Sequence, residues 1–383
     1  LGRETSLWQA VLFLSRLVLT DFRNYAALTW RPEQRLAVIT GPNGSGKTNL
    51  LEAISLLGPG RGFSRSKIGE MARLGGSGRW AVAGHLSQGE QTSVVGTGTE
   101  GLGERRVFRL DGAEPRSQAE LAARAASIWL TPQMDTIFQE SASGRRRFLD
   151  RLVWALEPGH AREVSAHETA MAGRRRLLAA GRADPAWLSG LEEQMARHAV
   201  ALSAARRSFV ARLNAAALPC SAFPRAEILL ADPVAERLAE APALAVEDFL
   251  RRELAARRAA DAAAGTSTLG AHRADMQLRD EVSGLPAAQG STGQQKAMLT
   301  GVILAHAALI AEQRGFAPLL LLDEPAVHLD AERRAALFEA LLHLPAQAFL
   351  TGTDADIFRP LRGAAGFFAT GGGQLRAGAA GEA

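Results

Sequence analysis

Hydrophobic and polar positions are arranged in three different ways along this chain. Through Ser15-Arg16-Leu17-Val18-Leu19 they alternate, and they alternate weakly again over 79–111 (Trp80, Val82; Val94, Val95; Val107, Phe108, Leu110). That period of two predicts a strand followed by a small antiparallel sheet with glycine-rich turns. A second arrangement is the short unbroken apolar run: Leu36 to Thr40, Ser127 to Leu130, Leu319 to Leu322 and Ala348 to Leu350. Leu319-Leu320-Leu321-Leu322, set between Pro318 and Asp323-Glu324, has the form of a strand buried on both faces of a parallel sheet. The third arrangement, from about Gly144 to Ala264, is rich in Arg, Ala and Leu at helical spacing. Asp184-Pro185 supplies an N-cap and a first-turn proline, and Trp187, Leu191, Met195, Ala199, Leu202, Phe209 and Leu213 follow on one stripe. A helix of about 30 residues, roughly 45 Å long, is predicted there. The preceding apolar positions (Phe148, Leu149, Leu152, Val153, Leu156, Leu177, Leu178) would pack antiparallel against it as one helix pair.

The α/β texture returns near Gly265, with a strand expected at Met276 to Leu278 and a helix from about Gln294 to Ala311. The domain boundaries that follow are 13–130, 131–265 and 266–370, with a Gly/Ala-rich tail over 371–383 expected to be disordered.

Composition narrows this little. A chain of 383 residues holds two or three domains, and 47% hydrophobic against 22% charged residues is that of a soluble globular protein. The formal charge of +4 permits a local basic face without requiring one. A single cysteine, Cys220, excludes an internal disulfide and suits a reducing compartment. Leu7 to Leu14 is apolar but falls well short of the roughly 20 residues of a membrane span, and it lacks the basic start and cleavage site of a signal peptide. A cytoplasmic location is expected, with residues 1 to 12 an extension.

Chemistry enters at Val38-Ile39-Thr40-Gly41-Pro42-Asn43-Gly44-Ser45-Gly46-Lys47-Thr48-Asn49-Leu50, a strand, then G-x-x-x-x-G-K-T, then a helix start. In that context the pattern is a phosphate-binding loop. Gly41, Gly44 and Gly46 allow backbone N–H groups to converge on one concavity, with Pro42, Asn43, Ser45 and Asn49 completing the loop. The helix dipole points at the same place. Lys47 is placed for the β- and γ-phosphates and Thr48 for Mg²⁺. Only three of the 44 basic residues are lysines (Lys47, Lys67 and Lys296). Where arginine is so favoured, a lysine in this loop marks a need for a compact point charge.

Asp323, at the end of the leucine strand, is a candidate Mg²⁺ ligand, and Glu324 a candidate base for the attacking water. Ahead of them, Ser291-Thr292-Gly293-Gln294-Gln295 opens a helix with a hydroxyl, backbone N–H groups and a dipole end. With these motifs the chain resembles the ABC-type ATPases, whose signature loop in one subunit closes on the γ-phosphate held by another. The resemblance implies a head-to-tail homodimer with two ATP molecules between subunits, Ser291, Gly293 and Gln294 contacting nucleotide across the interface. It further implies that Gln133 is the Q-loop glutamine, near metal and attacking water, that Asp330 is the D-loop aspartate, and that Thr353 is the switch residue. Two positions depart from the pattern: Thr353 stands where histidine is usual, and Val327 where serine is usual. Both favour slow, switch-like hydrolysis.

Within that superfamily the chain is similar to the RecF family of bacterial replication and repair proteins, the SMC-like branch. Asp21-Phe22-Arg23-Asn24-Tyr25, Leu51-Glu52-Ala53-Ile54, Gly60-Arg61-Gly62-Phe63-Ser64-Arg65, Arg146-Arg147-Phe148-Leu149-Asp150 and Gly270-Ala271-His272-Arg273-Ala274-Asp275 carry the resemblance from about Leu14 to about Phe368. In the last motif the family has G-P-H-R-D-D, so His272, Arg273 and Asp275 are carried over only loosely. The implied fold is α/β, an ABC-type ATPase head (a phosphate-loop parallel sheet plus an antiparallel subdomain) with an inserted short helical arm. The implied activity is ATP-gated clamping of duplex or gapped DNA in recombinational repair, with RecR as partner and RecO and RecA downstream. Basic residues suited to DNA are Arg61, Arg65 and Lys67 in the glycine-rich loop, and Arg145, Arg146, Arg174 and Arg175 within the clusters 145–147, 174–176 and 206–207. The alternatives are a scaffold in which ATP only joins subunits, and a transporter ATPase. The separation of Lys47 from Ser291 and the absence of a membrane-coupling surface speak against the transporter.

Overall fold

The computed structural model describes residues 11–63, 66–100, 105–181, 184–216, 223 and 225–378. In chain order the strands are β1 (Leu12–Phe22), β2 (Tyr25–Trp30), β3 (Leu36–Thr40), β4 (Ala81–Gln88), β5 (Gln91–Glu100), β6 (Arg105–Leu110), β7 (Ser127–Leu130), β8 (Ala226–Ala231), β9 (Asp275–Asp280), β10 (Leu319–Leu322), β11 (Ala348–Gly352), β12 (Ala365–Gly371) and β13 (Gln374–Ala377). The described residues divide into two compact units, one from 1–135, 216–225 and 291–383, the other from 136–215 and 226–290.

The first unit contains both sheets that the apolar patterns predict. The alternating segments form a five-stranded antiparallel sheet in the order β2-β1-β4-β5-β6, with a register shift between Leu14 and Arg16. The unbroken runs form a six-stranded sheet in the order β13-β12-β3-β11-β10-β7, parallel except for β13. Strand β10 has neighbours on both sides and every leucine of 319–322 is at most 1% exposed, which is why its pattern does not alternate. Helix Lys47–Ser55 buries Leu50, Leu51, Ala53 and Ile54 in a core shared with Leu14, Leu17 and Phe22 of β1, Ile39 of β3, Leu321 of β10 and Phe349 of β11. Close packing against both sheets fixes the helix, and with it the loop before it.

Register then decides where chemistry can occur. Gly352 is level with Thr40, and Leu322 is level with both Leu350 and Leu130. The loops after β3, β11, β10 and β7 therefore leave the sheet at one carboxyl edge, where ligands of open α/β sheets bind.

The second unit is a helical lobe with one two-stranded sheet. Its helices are Ala142–Leu156, His160–Ala179, Pro185–Ala215, Pro233–Glu240, Ala243–Ala256 and Arg258–Ala264, and β8 pairs antiparallel with β9. The long helix has 31 residues, close to the length the sequence predicts, and Asp184 Oδ1 accepts the Ala186 N–H at 2.8 Å at its start.

Four expectations need correction. The arm is not one helix pair: the stretch before the long helix is two helices, broken at Glu157–Gly159, and three more follow. Trp187, placed on the core stripe, is 63% exposed, and burial on that face begins at Leu188. The return to the first unit falls after Gly290 rather than near 265, because β9 pairs with β8, a strand concealed in the Arg/Ala/Leu-rich stretch. Residues 371–378 of the tail are ordered, since β13 pairs with β12 through Gly371↔Gln374. Residues 1–10 and 379–383, with Cys220, lie outside the described residues. Among the described residues no helix is long and apolar enough to cross a membrane.

Candidate nucleotide site

The loop between β3 and helix Lys47–Ser55 depends on glycine at its two ends. Gly41 has φ +154°, and a Cβ there would lie 2.6 Å from the Thr370 carbonyl and hydroxyl oxygens. Gly46 has φ +107°, and a Cβ there would meet the Asn24 side chain at 2.3 Å. The loop is braced from outside by the residues that replace those absent Cβ atoms. Asn24 Nδ2 donates to the Ser45 carbonyl (3.1 Å), Tyr25 Oη to the Gly46 carbonyl (3.0 Å), and Asn49 Nδ2 to Asn24 Oδ1 (2.8 Å). Burial pushes the Tyr25 phenol up to about 12, so it remains a donor. Ser45 and Thr370 hydroxyls meet at 2.6 Å. With the Ser45 and Gly46 carbonyls engaged in this way, the loop can offer its remaining N–H groups to an anion. Lys47 Nζ crosses the loop, donating to the carbonyls of Gly41 (2.7 Å) and Pro42 (3.0 Å).

Asp323 stands at the end of β10, and Thr48 Oγ1 donates to its two carboxylate oxygens at 3.1 and 3.0 Å. Thr351 Oγ1 donates to Asp323 Oδ1 at 2.6 Å while accepting the Glu324 N–H at 2.9 Å. Burial pushes the Asp323 carboxyl above its ordinary value, and hydrogen bonds from Thr351 and Thr48 oppose this only in part. A buried carboxylate held by hydroxyls, with a threonine hydroxyl beside it, is a donor set for a hard divalent cation that keeps its other positions for water and phosphate. The residues present thus fit Mg²⁺ and a nucleotide triphosphate.

Glu324 is partly exposed and has φ +50°, rare for a residue with a side chain. Gln133 lies in the turn Pro132–Thr136 directly after β7, exposed at the same edge, and Thr353 is exposed directly after β11. Gly41 to Asn49, Asp323, Glu324, Gln133 and Thr353 are therefore gathered at one sheet edge. Ser291 and Gln294 form a reciprocal cap instead: Ser291 Oγ accepts the Gln294 N–H (3.3 Å) and Gln294 Oε1 accepts the Ser291 N–H (2.8 Å) at the start of helix Thr292–Arg314. Asp330 caps helix Ala331–His343, accepting the Arg333 N–H at 2.8 Å.

Comparison with known proteins gives the family and the fold. The family model for the RecF/RecN/SMC N-terminal domain matches residues 13–373. The DNA replication and repair protein RecF of Mesorhizobium japonicum is 47% identical over 361 residues, covering 92% of this chain and 95% of that protein. This chain belongs to the RecF family. RecF of Agrobacterium fabrum is 46% identical, with 93% and 96% of the two chains covered. In fold, the chain is similar to the recombination mediator protein RecF-ATPrS of the RecFOR pathway, with TM-score 0.83 at 21% identity over 96% of this chain and 99% of that one. It is also similar to an Smc head domain of Pyrococcus furiosus bound to the C-terminal domain of ScpA, with TM-score 0.52 at 13% identity over 96% of each chain. The ABC-type ATPase head fold expected of a RecF-family chain is the fold observed.

The basic residues divide in a way the sequence does not show. Arg174 is completely buried, bonded to Glu192 (3.0 Å), Asp261 (2.7 Å), Ser267 (2.9 Å) and the Leu254 carbonyl (2.6 Å). It has no face for DNA and is withdrawn as a DNA contact. Arg145 is committed to both oxygens of Asp275 at 2.8 and 2.7 Å, and Arg146 donates to the Ala274 carbonyl at 2.7 Å. Both are structural residues of the lobe, and Asp275 belongs to that pairing. His272 is half-buried on the Ser267 carbonyl (2.7 Å), while Arg273 is exposed. Arg206 is buried on both oxygens of Asp150 at 2.8 and 2.9 Å. Each cluster nevertheless presents exposed members: Arg147, Arg175, Arg176 and Arg207. Arg61 and Lys67 are exposed, and Arg65 lies outside the described residues.

Four residues of the site carried no role in the sequence. Asn24 and Tyr25 stood in a family motif whose purpose only the loop contacts reveal. Thr351 was visible as one hydroxyl in an otherwise apolar strand, and Thr370 gave no signal.

Proposed function

We propose that the protein is an ATP-gated DNA clamp of recombinational repair. Two copies join head to tail around two ATP molecules, the phosphate loop of one facing Ser291, Gly293 and Gln294 of the other, with Asp330 beside the same interface. What supports this most is the arrangement along the sheet edge. Thr48, Asp323, Thr351 and Glu324 are linked by hydrogen bonds in one copy, with Lys47 lying across the phosphate loop, whereas the exposed signature cap is satisfied within itself. In this reading Lys47 binds phosphate, Thr48 and Asp323 hold Mg²⁺ with Gln133 at its outer side, and Glu324 takes a proton from the attacking water. Mg²⁺ would neutralise charge on the phosphates when bound. A hydroxyl at Thr353 is a poorer proton acceptor than imidazole, so hydrolysis is slow and serves to release DNA. Duplex or gapped DNA is held by exposed arginines such as Arg175, with Arg61 and Lys67 as further contacts. By family, RecR is the direct partner, with RecO and RecA acting downstream, in the cytoplasm.

Self-association and DNA binding measured with and without ATP test the proposal. Lys47→Ala should abolish both ATP effects, and Glu324→Gln should accumulate an ATP-bound dimer. DNA affinity indifferent to ATP and to salt would overturn the clamp, because phosphate contacts weaken as salt rises. An ATP-dependent dimer with no turnover, with or without DNA, would instead establish the scaffold.

A further inference from the structure

Lys296 is 1% exposed, in the second turn of the signature helix, and the nucleotide chemistry does not use it. Burying an ammonium costs several kcal/mol unless it is paired, so its partners define its purpose. Among the described residues these are the Glu324 carbonyl at 2.9 Å and Asp135 Oδ2 at 3.4 Å. Asp135 follows Gln133 by two residues in the same turn.

The carbonyl it holds belongs to a strained residue. A left-handed conformation costs a side-chain-bearing residue roughly 1–2 kcal/mol, and Glu324 has φ +50°. Its N–H is held by Thr351 Oγ1 and its C=O by Lys296, at shorter range than the Val327 N–H of the same turn (3.3 Å), so both peptide groups are engaged. The same loop touches the signature helix again. His328, also left-handed at φ +66°, brings its carbonyl so near Gly293 that a Cβ there would lie 2.8 Å from it. Two points of the Glu324–Asp330 loop thus rest on the first turns of helix Thr292–Arg314. A compact ammonium can serve a carbonyl and a carboxylate on two different loops, where a planar guanidinium would need its acceptors to match a fixed fork.

We propose that Lys296 is a positioning residue, which fixes the Glu324 backbone and, through Asp135, the Gln133 turn, so that closure of the signature helix on a second copy's nucleotide is transmitted to both. The proposal rests on Glu324 acting as the base and on the signature helix meeting the other copy's nucleotide, as argued above.

The test compares Lys296→Met, Asp135→Asn, the double variant and Glu324→Gln. Lys296→Met alone leaves Asp135 buried without its cation and should lose stability. The double variant removes both charges and should recover the melting temperature. Its kcat should nevertheless stay about tenfold or more below that of the unaltered protein, with KM within about threefold. In the ligand-free double variant, amide hydrogens of 324–329 should exchange faster while those of β10 remain protected. Normal kcat together with unchanged exchange in a stable double variant would overturn the proposal, since charge balance alone would then explain Lys296. Glu324→Gln separates the two readings. If it turns over ATP normally, Glu324 is not the base, whereas the exchange measurement still reports whether Lys296 fixes that backbone.

Discussion

Asp323 and Asp150 are both largely buried carboxylates, and they are treated in opposite ways. Among the described residues, Asp323 is hydrogen-bonded by the hydroxyls of Thr48 and Thr351, and burial raises its pKa. At Asp150 burial also pushes upward, but hydrogen bonds from His160 and from Arg206 outweigh it and hold the carboxyl at about 2. Glu192 and Asp261 in the same lobe are bound by Arg174 and, for Glu192, by Arg258 as well. These lobe carboxylates are therefore each matched by a guanidinium, whereas Asp323 at the sheet edge is, among the described residues, hydrogen-bonded by hydroxyls and feels Lys47 only at longer range. Burial alone does not distinguish scaffold from site. Whether the fold itself supplies the countercharge does, because an unmatched buried carboxylate is stable only with an external cation or a proton.

The largest effect expected from this comparison is at Arg174. Arg174→Met leaves Asp261 and Glu192 short of their buried cation, which typically costs about 3–5 kcal/mol. Urea unfolding of the variant should show that loss. Arg175→Ala, one residue away and exposed, should stay within about 0.5 kcal/mol and should instead lower DNA affinity and the salt slope of binding, by about one counterion if it touches a phosphate. Equal stability in the two variants would end the claim that the clusters divide into scaffold and surface.

That division also marks how much was legible in the sequence. The phosphate loop, the leucine strand with Asp323-Glu324 and the capped signature helix were legible because each is a local pattern whose geometry follows from its own residues. Arg145, Arg146, Arg174 and Arg206 were not, because their partners lie far along the chain: Arg174 meets Asp261 and Arg206 meets Asp150. A run of arginines has one appearance whether its members face water or a buried acid. Strand β8 was missed for a related reason. Ile228 is its one buried residue and Ala231 is exposed, and its strand character depends on pairing with β9. Lys296 was visible as a rare lysine, but not the carbonyl it holds.

Acid should reveal the matched lobe next. Burial, reinforced by the nearby charges of His272, Arg206 and His198, lowers His167 from 6.5 to about 3, with Asp150 opposing. His167 and His272 rings lie 5.8 Å apart, and burial lowers His272 as well. A histidine whose pKa is depressed on folding contributes stability that is complete above its unfolded value and is lost as pH falls towards the folded value. Stability of the lobe should therefore decline from pH 6.5 towards about 3. A second loss, from Asp150, is expected between 3.8 and about 2, since that stability is present above the unfolded value and lost through the folded one. The expected cost is of order 2 kcal/mol for Asp150. His167→Phe should flatten the upper part of the profile and leave the lower part in place. A profile unchanged by that substitution would mean that His167 is not held neutral.

Asp323→Asn carries a small effect on stability and the most informative sign. A carboxyl whose pKa is raised on folding favours the folded protein below its unfolded value and loses that contribution as pH rises through the folded value. At neutral pH the nucleotide-free protein therefore bears a penalty at Asp323, which a neutral amide of nearly the same shape removes. Melting temperature without nucleotide should rise slightly, by the equivalent of up to about 1 kcal/mol. The extra stabilisation given by ATP with Mg²⁺ over ATP alone should disappear, because the carboxylate proposed to hold the cation is gone. The corresponding change in the lobe, Asp150→Asn, should do the reverse and destabilise, since Arg206 loses its matched partner. If both substitutions destabilise the nucleotide-free protein alike, the sheet edge holds no unmatched charge, and the contrast between the two carboxylates fails where it matters most.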